Sequence, residues 1–396
     1  MEKGFLAEKE VHRVRPLWED VFAEDSKEFT DYYFANKAEH NLVFTRVDEE
    51  RIVSMLHLAP YVTGQMEPVC YIVGVATMPE YRRQGLMADL LKEALQFMWE
   101  EGQKFTFLMP ANPVYYAPFQ FAYVYDKPMW KLNESALPVR YLETAAEYGA
   151  EFHLVVKDRG SLLIRVAKTD DFKDMAEFAN AMLQENTDCY MLRNSRYYEI
   201  LKKELMAQNG NLFLAEHEGK IKGILAYICE NEKPGLQEVI LDRELAAWQL
   251  VDAEDYKPMI MARILRVEEF LNELRCEGPV DLLVDVVDSV LTQNSGIYHL
   301  HGETNGNLVC RKRSYRNSKE SDRESSEMMD EGLEYKEYGH NLSDCQVMMD
   351  DLTAFVFGYK SAEECFYIKN EEIREEILDC LEQIQVWKRV FINEIV

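Results

Sequence analysis

An apolar run that ends in proline, followed at once by two arginines, a glycine and an amphipathic repeat, limits what this chain can fold into more than any other stretch. It reads Val75-Ala76-Thr77-Met78-Pro79-Glu80-Tyr81-Arg82-Arg83-Gln84-Gly85-Leu86-Met87. Leu86, Leu90, Leu91, Ala94, Leu95 and Met98 then recur at helical spacing, so the order is strand, tight basic turn and helix start. The first N–H groups of a helix lack intrahelical partners, and the positive end of its dipole lies there. Arginines beside such an end suit a pyrophosphate. The plainer alternative is a βα turn whose arginines are simply solvated.

The spacing Arg82-x-x-Gly85-x-Met87 after a strand resembles the acyl-CoA loop of the GNAT N-acetyltransferases, R/Q-x-x-G-x-G/A. Met87 departs from the usual Gly or Ala. A larger residue there is similar to one branch, the enhanced intracellular survival (Eis-like) acetyltransferases.

At 396 residues the chain exceeds one ordinary core, and two or three domains are expected. Apolar residues at 47% and aromatics at 12% favour packed domains over disorder. A formal net charge of -27 argues against nucleic acid or an anionic membrane as partner. It would attract cations, polyamine-type substrates included, or merely aid solubility. The eight cysteines are scattered with no C-x-x-C pair, as in reduced cytosolic chains. Met1-Glu2-Lys3-Gly4 opens into a charged segment, which reads as no signal peptide. No apolar run nears the roughly 20 residues that a membrane span needs. The expectation is a soluble, cytoplasmic protein.

Along the chain, 18–38 reads as an aromatic-rich helix, and 42–46 with 52–56 as a hairpin around Asp48-Glu49-Glu50. Strand 70–77, the basic loop, a helix to about 103 and a short strand 105–109 follow. A weaker copy comes next: helix 172–185, hairpin 211–218 and 221–229, strand 237–241. There Asp242-Arg243-Glu244-Leu245-Ala246-Ala247 offers no glycine and no R-x-x-G, so the copy reads as degenerate and non-catalytic. Beyond it lie strand 259–265, helix 266–274, a β-branched run 280–287 and extended pieces 297–300 and 308–311. A charged Ser/Glu-rich loop 317–334, apolar stretches 347–349 and 352–359, helix 371–386 behind Asn370 and an apolar tail complete the chain. Met259-Ile260-Met261-Ala262-Arg263-Ile264 and Phe357-Gly358-Tyr359 look like the sterol-carrier-like domain that closes the Eis-like family. The expected fold class is α/β (α+β). Tandem GNAT-type mixed sheets flanked by helices would occupy 1–135 and 136–256, the second one shortened. A sterol-carrier-like α/β domain, 257–396, would send its tail to the first domain.

The resemblance implies an acetyl-CoA-dependent N-acetyltransferase acting on primary amines of cationic small molecules, aminoglycoside- or polyamine-like. Attack would be direct, in a ternary complex, since no cysteine or serine sits in a nucleophile motif. Acetyl-CoA is the implied cosubstrate, with no metal. Backbone groups of Val75, Ala76 and Thr77 would face the thioester and pantetheine. Arg82 and Arg83, with the N–H groups of Gln84, Gly85, Leu86 and Met87, would cradle the phosphates. Tyr116, in Tyr115-Tyr116-Ala117-Pro118-Phe119-Gln120-Phe121, stands where the family's Tyr-x-x-Phe-Gly-Tyr segment supplies the general acid. Gln120 and Phe121 replace Gly and Tyr, Tyr115 is a second candidate donor, and a structural core tyrosine is the plain alternative. The family's chain terminus carries the base, here Val396, with Glu394 and a bound water as the alternative; a tail packed on its own domain also fits. Phe22, Glu24 and Asp25 are similar to the wall and acidic side of the family's amine pocket, and a solvated loop explains them equally. His299 and His301 flank Leu300 and could share one face of a strand, but without a third ligand in register no metal is expected. A homo-oligomer, hexameric by resemblance, is implied. The rival readings are a non-catalytic acyl-CoA sensor and an apolar-ligand carrier working through the third domain.

Overall fold

In the computed structural model the described residues are 2–6, 8–156, 160–230, 233–313 and 343–394. The first unit comprises β1 (Glu2–Leu6), α1 (Arg15–Val21), α2 (Lys27–Asn36), β2 (Leu42–Asp48), β3 (Arg51–Val62), β4 (Pro68–Thr77), α3 (Leu86–Glu100), β5 (Phe105–Leu108) and β6 (Ala122–Leu132). Its seven-stranded sheet runs β1-β2-β3-β4-β5, then a strand from Val251–Ile264, then β6. The aromatic run 18–38 is two helices, because Ser26 interrupts it: its hydroxyl accepts from Phe29 N at 3.1 Å and caps α2. The β2–β3 turn places Glu49 and Glu50 at φ 46° and 68°, the twist that suits a tight hairpin. All six apolar positions of the α3 repeat are buried against the sheet, the Leu and Met side chains among them each stabilising by roughly 1.5–3 kcal/mol if fully removed from water.

The second unit comprises α4 (Val139–Tyr148), β7 (Phe152–Val156), β8 (Gly160–Val166), α5 (Phe172–Asn186), β9 (Cys189–Tyr190), α6 (Ser195–Ala207), β10 (Asn211–His217), β11 (Lys220–Glu230), β12 (Lys233–Leu241) and α7 (Arg243–Ala246). Its sheet order is β12-β11-β10-β8-β7. The helix, hairpin and strand of the first unit recur. After β12, however, Asp242 caps only the four-residue α7, so nothing like the start of α3 is presented.

The strand Val251–Ile264, β13, inserts between β5 and β6, so residue 257, the expected domain border, falls inside a strand of the first sheet. Then follow α8 (Val267–Leu271), β14 (Arg275–Cys276), β15 (Val280–Val287), β16 (Gly296–Gly302), β17 (Val309–Lys312), β18 (Cys345–Met348), α9 (Met349–Val356), α10 (Ala362–Cys365), α11 (Arg374–Glu382), β19 (Ile384–Gln385) and β20 (Val390–Phe391). β17-β16-β15-β18 form a four-stranded sheet. The charged stretch 317–334 lies outside the described residues. Asn370 caps a short 3-10 turn, through Glu372 N at 3.1 Å, ahead of α11. Between this sheet and α9 and α11 the core is shut. The cavity that Val284, Tyr298, Leu352 and Leu381 line measures about 10 Å³, about one water, far from an acyl chain.

Phe105 on β5 meets Phe357 at 5.5 Å and Trp387 at 6.2 Å between ring centroids, so the first and third units share one core. The tail then crosses to the second unit, where β20 pairs with β9 in parallel, Val390 with Cys189 and Phe391 with Tyr190. All eight cysteines are free thiols. No helix among the described residues is long and apolar enough to cross a membrane.

Candidate active site

The centre of the site is an irregularity in β4. Met55 pairs with Ala76 and His57 with Val73, so Leu56 alone faces Gly74 and Val75, a bulge. Gly74 sits at φ 59°, and a Cβ there would lie 2.6 Å from the Trp18 ring, so only glycine fits. On the other side, β4 pairs in parallel with β5 through Cys70, Tyr71 and Ile72. Among the described residues no strand pairs with that edge of β4 from Val73 onward. The bulge therefore turns backbone groups into an open wedge.

The C-terminal end of β4 leads directly to the basic loop. Met78 N donates to Val53 O at 2.9 Å, and Arg82 Nε donates to Thr77 O at 3.0 Å. Arg83 adopts φ 61° and Gly85, the N-cap of α3, φ 84°. Among the described residues no side chain caps α3, and no atom lies within 4 Å of where a Gly85 Cβ would point. Arg82, Arg83, Gln84 and Gly85 are exposed, Leu86 is buried and Met87 half-buried. An uncapped helix start, open space above its glycine and two exposed guanidinium groups fit a diphosphate.

On the N-terminal side of the β4 bulge a cavity of about 330 Å³ reaches Val73. Tyr33 from α2, Tyr61 from β3, Tyr197 and Glu204 from α6, and Glu394 from the tail line it. Glu204 is saturated, accepting from Tyr32 Oη (2.9 Å), Lys37 Nζ (2.6 Å) and Gln237 Nε2 (3.1 Å). Glu394 pairs with Arg193, takes a hydrogen bond from Tyr197 Oη at 3.3 Å and another from Asn393 N at 3.0 Å. Burial pushes the Glu394 carboxyl up, and Arg193 opposes that shift. Arg193 also holds Glu238 at 2.8 Å and lies 4.1 Å from the Tyr197 ring centroid. The tail is thus pinned where the first and second units face one another. Val396 lies outside the described residues.

Phe22 packs on Trp18, ring centroids 4.7 Å apart, and lines neither this cavity nor its neighbour. Glu24 and Asp25 border that neighbour, a cavity of about 550 Å³ that shares Glu204 and Gln237 with the first. Asp25 accepts from Trp18 Nε1 at 2.9 Å, and burial raises its carboxyl.

Tyr116 is buried, 7% exposed, and desolvation pushes its phenol up to about 12. Tyr115, the other candidate donor, is 57% exposed. Tyr71 is raised chiefly by burial, then by its neighbours Tyr61 and Tyr116. Gln120, where the family motif has glycine, occupies the left-handed region at φ 57°. Its side chain donates to Val287 O at 3.3 Å and accepts from Ser289 N and Oγ at 2.8 and 3.0 Å. Arg263 of β13, fully buried, donates to Phe119 O at 2.6 Å and grips Asp288. The third unit therefore clamps the Tyr116 loop from below.

In the third sheet a carboxylate joins the two histidines. Asp281 of β15 stands opposite His301, and its Oδ1 lies 2.6 Å from His299 Nε2. A third ligand-type residue is in register; it comes from the neighbouring strand, which local spacing could not show.

Residues 5–124 match the model of the acetyltransferase (GNAT) domain. The first unit is a GNAT acetyltransferase domain. The chain is accordingly an acyltransferase. No curated protein matches it in sequence. Among solved structures, a GCN5-related N-acetyltransferase from Anabaena variabilis ATCC 29413 shares the fold at TM-score 0.70 and 14% identity, with 100% of each chain covered. A conserved protein of unknown function from Enterococcus faecalis V583, described as a probable N-acyltransferase, reaches TM-score 0.75 at 15% identity, again over 100% of both chains. Eis1 from Mycobacterium abscessus gives 0.67 at 10% identity over the same full extent.

Sequence reasoning missed Tyr33, Tyr61, Arg193, Tyr197 and Glu204. They come from α2, β3 and the second unit, and no motif links them. The one available signal was the density of tyrosines on otherwise amphipathic segments.

Proposed function

We propose that this chain transfers an acetyl group from acetyl-CoA to a primary amine of a cationic small molecule. Its plan would be Eis-like: a working GNAT unit, a degenerate second one and a sterol-carrier-like third. The observation that carries this reading is the layout of β4, with an arginine-flanked, uncapped helix start beyond its C-terminal end and a central bulge that a cavity adjoins.

Bound acetyl-CoA supplies the activated acyl group. Arg82 and Arg83, with the N–H groups of Gln84, Gly85, Leu86 and Met87, hold its diphosphate. Backbone at Val75 and Ala76 polarises the thioester carbonyl, and Thr77 pairs with the pantetheine arm. The amine nitrogen forms the new C–N bond as the C–S bond breaks. Tyr116 gives its proton to the departing sulfur; its raised phenol stays protonated at neutral pH, as a donor must. A carboxylate of the cleft, through a bound water, takes the proton from the amine, while Glu394, committed to Arg193, anchors the tail. Glu24 and Asp25 draw cationic amines toward the cleft, with Phe22 behind them stiffening Trp18. A cytoplasmic homohexamer belongs to the same reading.

Calorimetric titration of acetyl-CoA, followed by thiol release against a panel of polyamines and aminoglycosides, tests it. Binding heat and amine-dependent thiol are expected. No heat overturns the reading, and binding without thiol release across the panel favours an acyl-CoA sensor.

A further inference from the structure

Away from the cleft, the outward face of the third sheet gathers two imidazoles and a carboxylate. β16 is paired on both sides, with β15 and β17, so its backbone is held in place. Along it Tyr298 and Leu300 point into the core, while His299 and His301 point out. On β15, Asp281 shares that outer face, directly across from His301 and diagonal to His299. Its Oδ1 lies 2.6 Å from His299 Nε2 and 4.0 Å from His301 Nδ1. One donor atom from each residue falls within 4.8 Å of the other two. The three donors therefore already surround a point that small rotamer changes would bring to bonding distance.

We propose that Asp281, His299 and His301 bind a divalent transition-metal ion of the zinc type. Two nitrogens and one oxygen are the donor set such ions favour, whereas calcium and magnesium take oxygen throughout. Ligands about 2.0–2.2 Å from a tetrahedral ion sit near 3.3 Å from one another, between the two spacings seen here. The His299–Asp281 hydrogen bond orients both groups beforehand and gives way to the ion. Asp281 is largely exposed and the histidines partly so, at 74%, 24% and 47% for the side chains, which leaves the remaining position to water. The chain's charge of -27 raises the local cation concentration. Arg311, which pairs with His299 from β17, works against it and limits affinity.

The experiment is competition for Zn²⁺ between the reduced full chain and a chromogenic chelator, with x-ray absorption on the loaded protein. One equivalent is expected, with a first shell of nitrogen and oxygen near 2.0–2.2 Å. His299→Ala and His301→Ala should each weaken that equivalent at least tenfold, and Asp281→Asn less. These residues lie apart from the acetyl-transfer cleft, so thermal unfolding of the zinc-free variants should match the parent, and added Zn²⁺ should raise the midpoint of the parent alone. Undiminished binding in both histidine variants, a sulfur shell near 2.3 Å from the eight thiols, or no binding at all would overturn the proposal.

Discussion

Tyr116 and His57 show how burial at one position sets chemistry at another. With its phenol near 12, Tyr116 can only donate at neutral pH. Tyr116→Phe is expected to lower kcat by about 10²–10⁴, the usual span for one positioned acid, with acetyl-CoA affinity retained; an unchanged kcat would remove it from the mechanism. His57 lies beneath the bulge, its Nδ1 3.1 Å from Tyr33 Oη and its Nε2 buried without a partner among the described residues. Desolvation lowers it to about 3. An unfolded histidine titrates near 6.5, so between those values the unfolded chain binds the extra proton. The associated stability is complete above pH 6.5 and drains away as pH falls toward 3. By pH 5 the loss reaches about 2 kcal/mol. Urea unfolding at pH 7 and pH 5 should show that slope in the parent, and a flatter one in His57→Gln. Equal slopes would mean that the ring is not held neutral.

At the scale of elements, two glycines of one strand-loop-helix unit differ in what they protect. Gly74→Ala meets both a positive φ and the Trp18 ring at 2.6 Å, costing roughly 1–3 kcal/mol of stability or more. Gly85→Ala meets only the φ of 84°, roughly 1–2 kcal/mol of strain. The first should lower the thermal midpoint and distort transfer together. The second should mainly raise KM for acetyl-CoA, read by steady-state kinetics beside a thermal melt; an unchanged KM would argue that no phosphate approaches Gly85. Gln120 shows the reverse trade. A side chain in the left-handed region is strained, and its three hydrogen bonds to Val287 and Ser289 offset that strain. The loop bearing Tyr116 thereby depends on a strand more than 160 positions away in sequence, as the separations of 167 and 169 show.

For the whole molecule, the decisive contact is the buried cluster of Arg193, Glu238 and Glu394, where the tail of the third unit meets the second beside the first unit's cleft. Arg193→Ala leaves two carboxylates underground without their cation, a change that typically costs 3–5 kcal/mol. The expected result is tail release: faster tryptic cleavage at Lys388 and Arg389, and loss of acetyl transfer with acetyl-CoA binding kept. Unaltered cleavage would show that β20 holds the tail without the ion pairs.

The loop, its helix and the surrounding strands were legible in the amino-acid sequence because each depends on neighbours within a few positions. A glycine where φ must be positive, arginines beside a helix start and an apolar repeat of 3.6 are local facts. Hairpins around Glu49 and Gly219 were legible for the same reason. Tertiary structure alone decided that 251–264 completes the first sheet, that Ser26 splits the aromatic helix, and that Asp281 meets His299. It alone also assembled the cleft from α2, β3, α6 and the tail. Such pairings join residues far apart along the chain. Their energy comes from burial and charge pairing that no local pattern encodes.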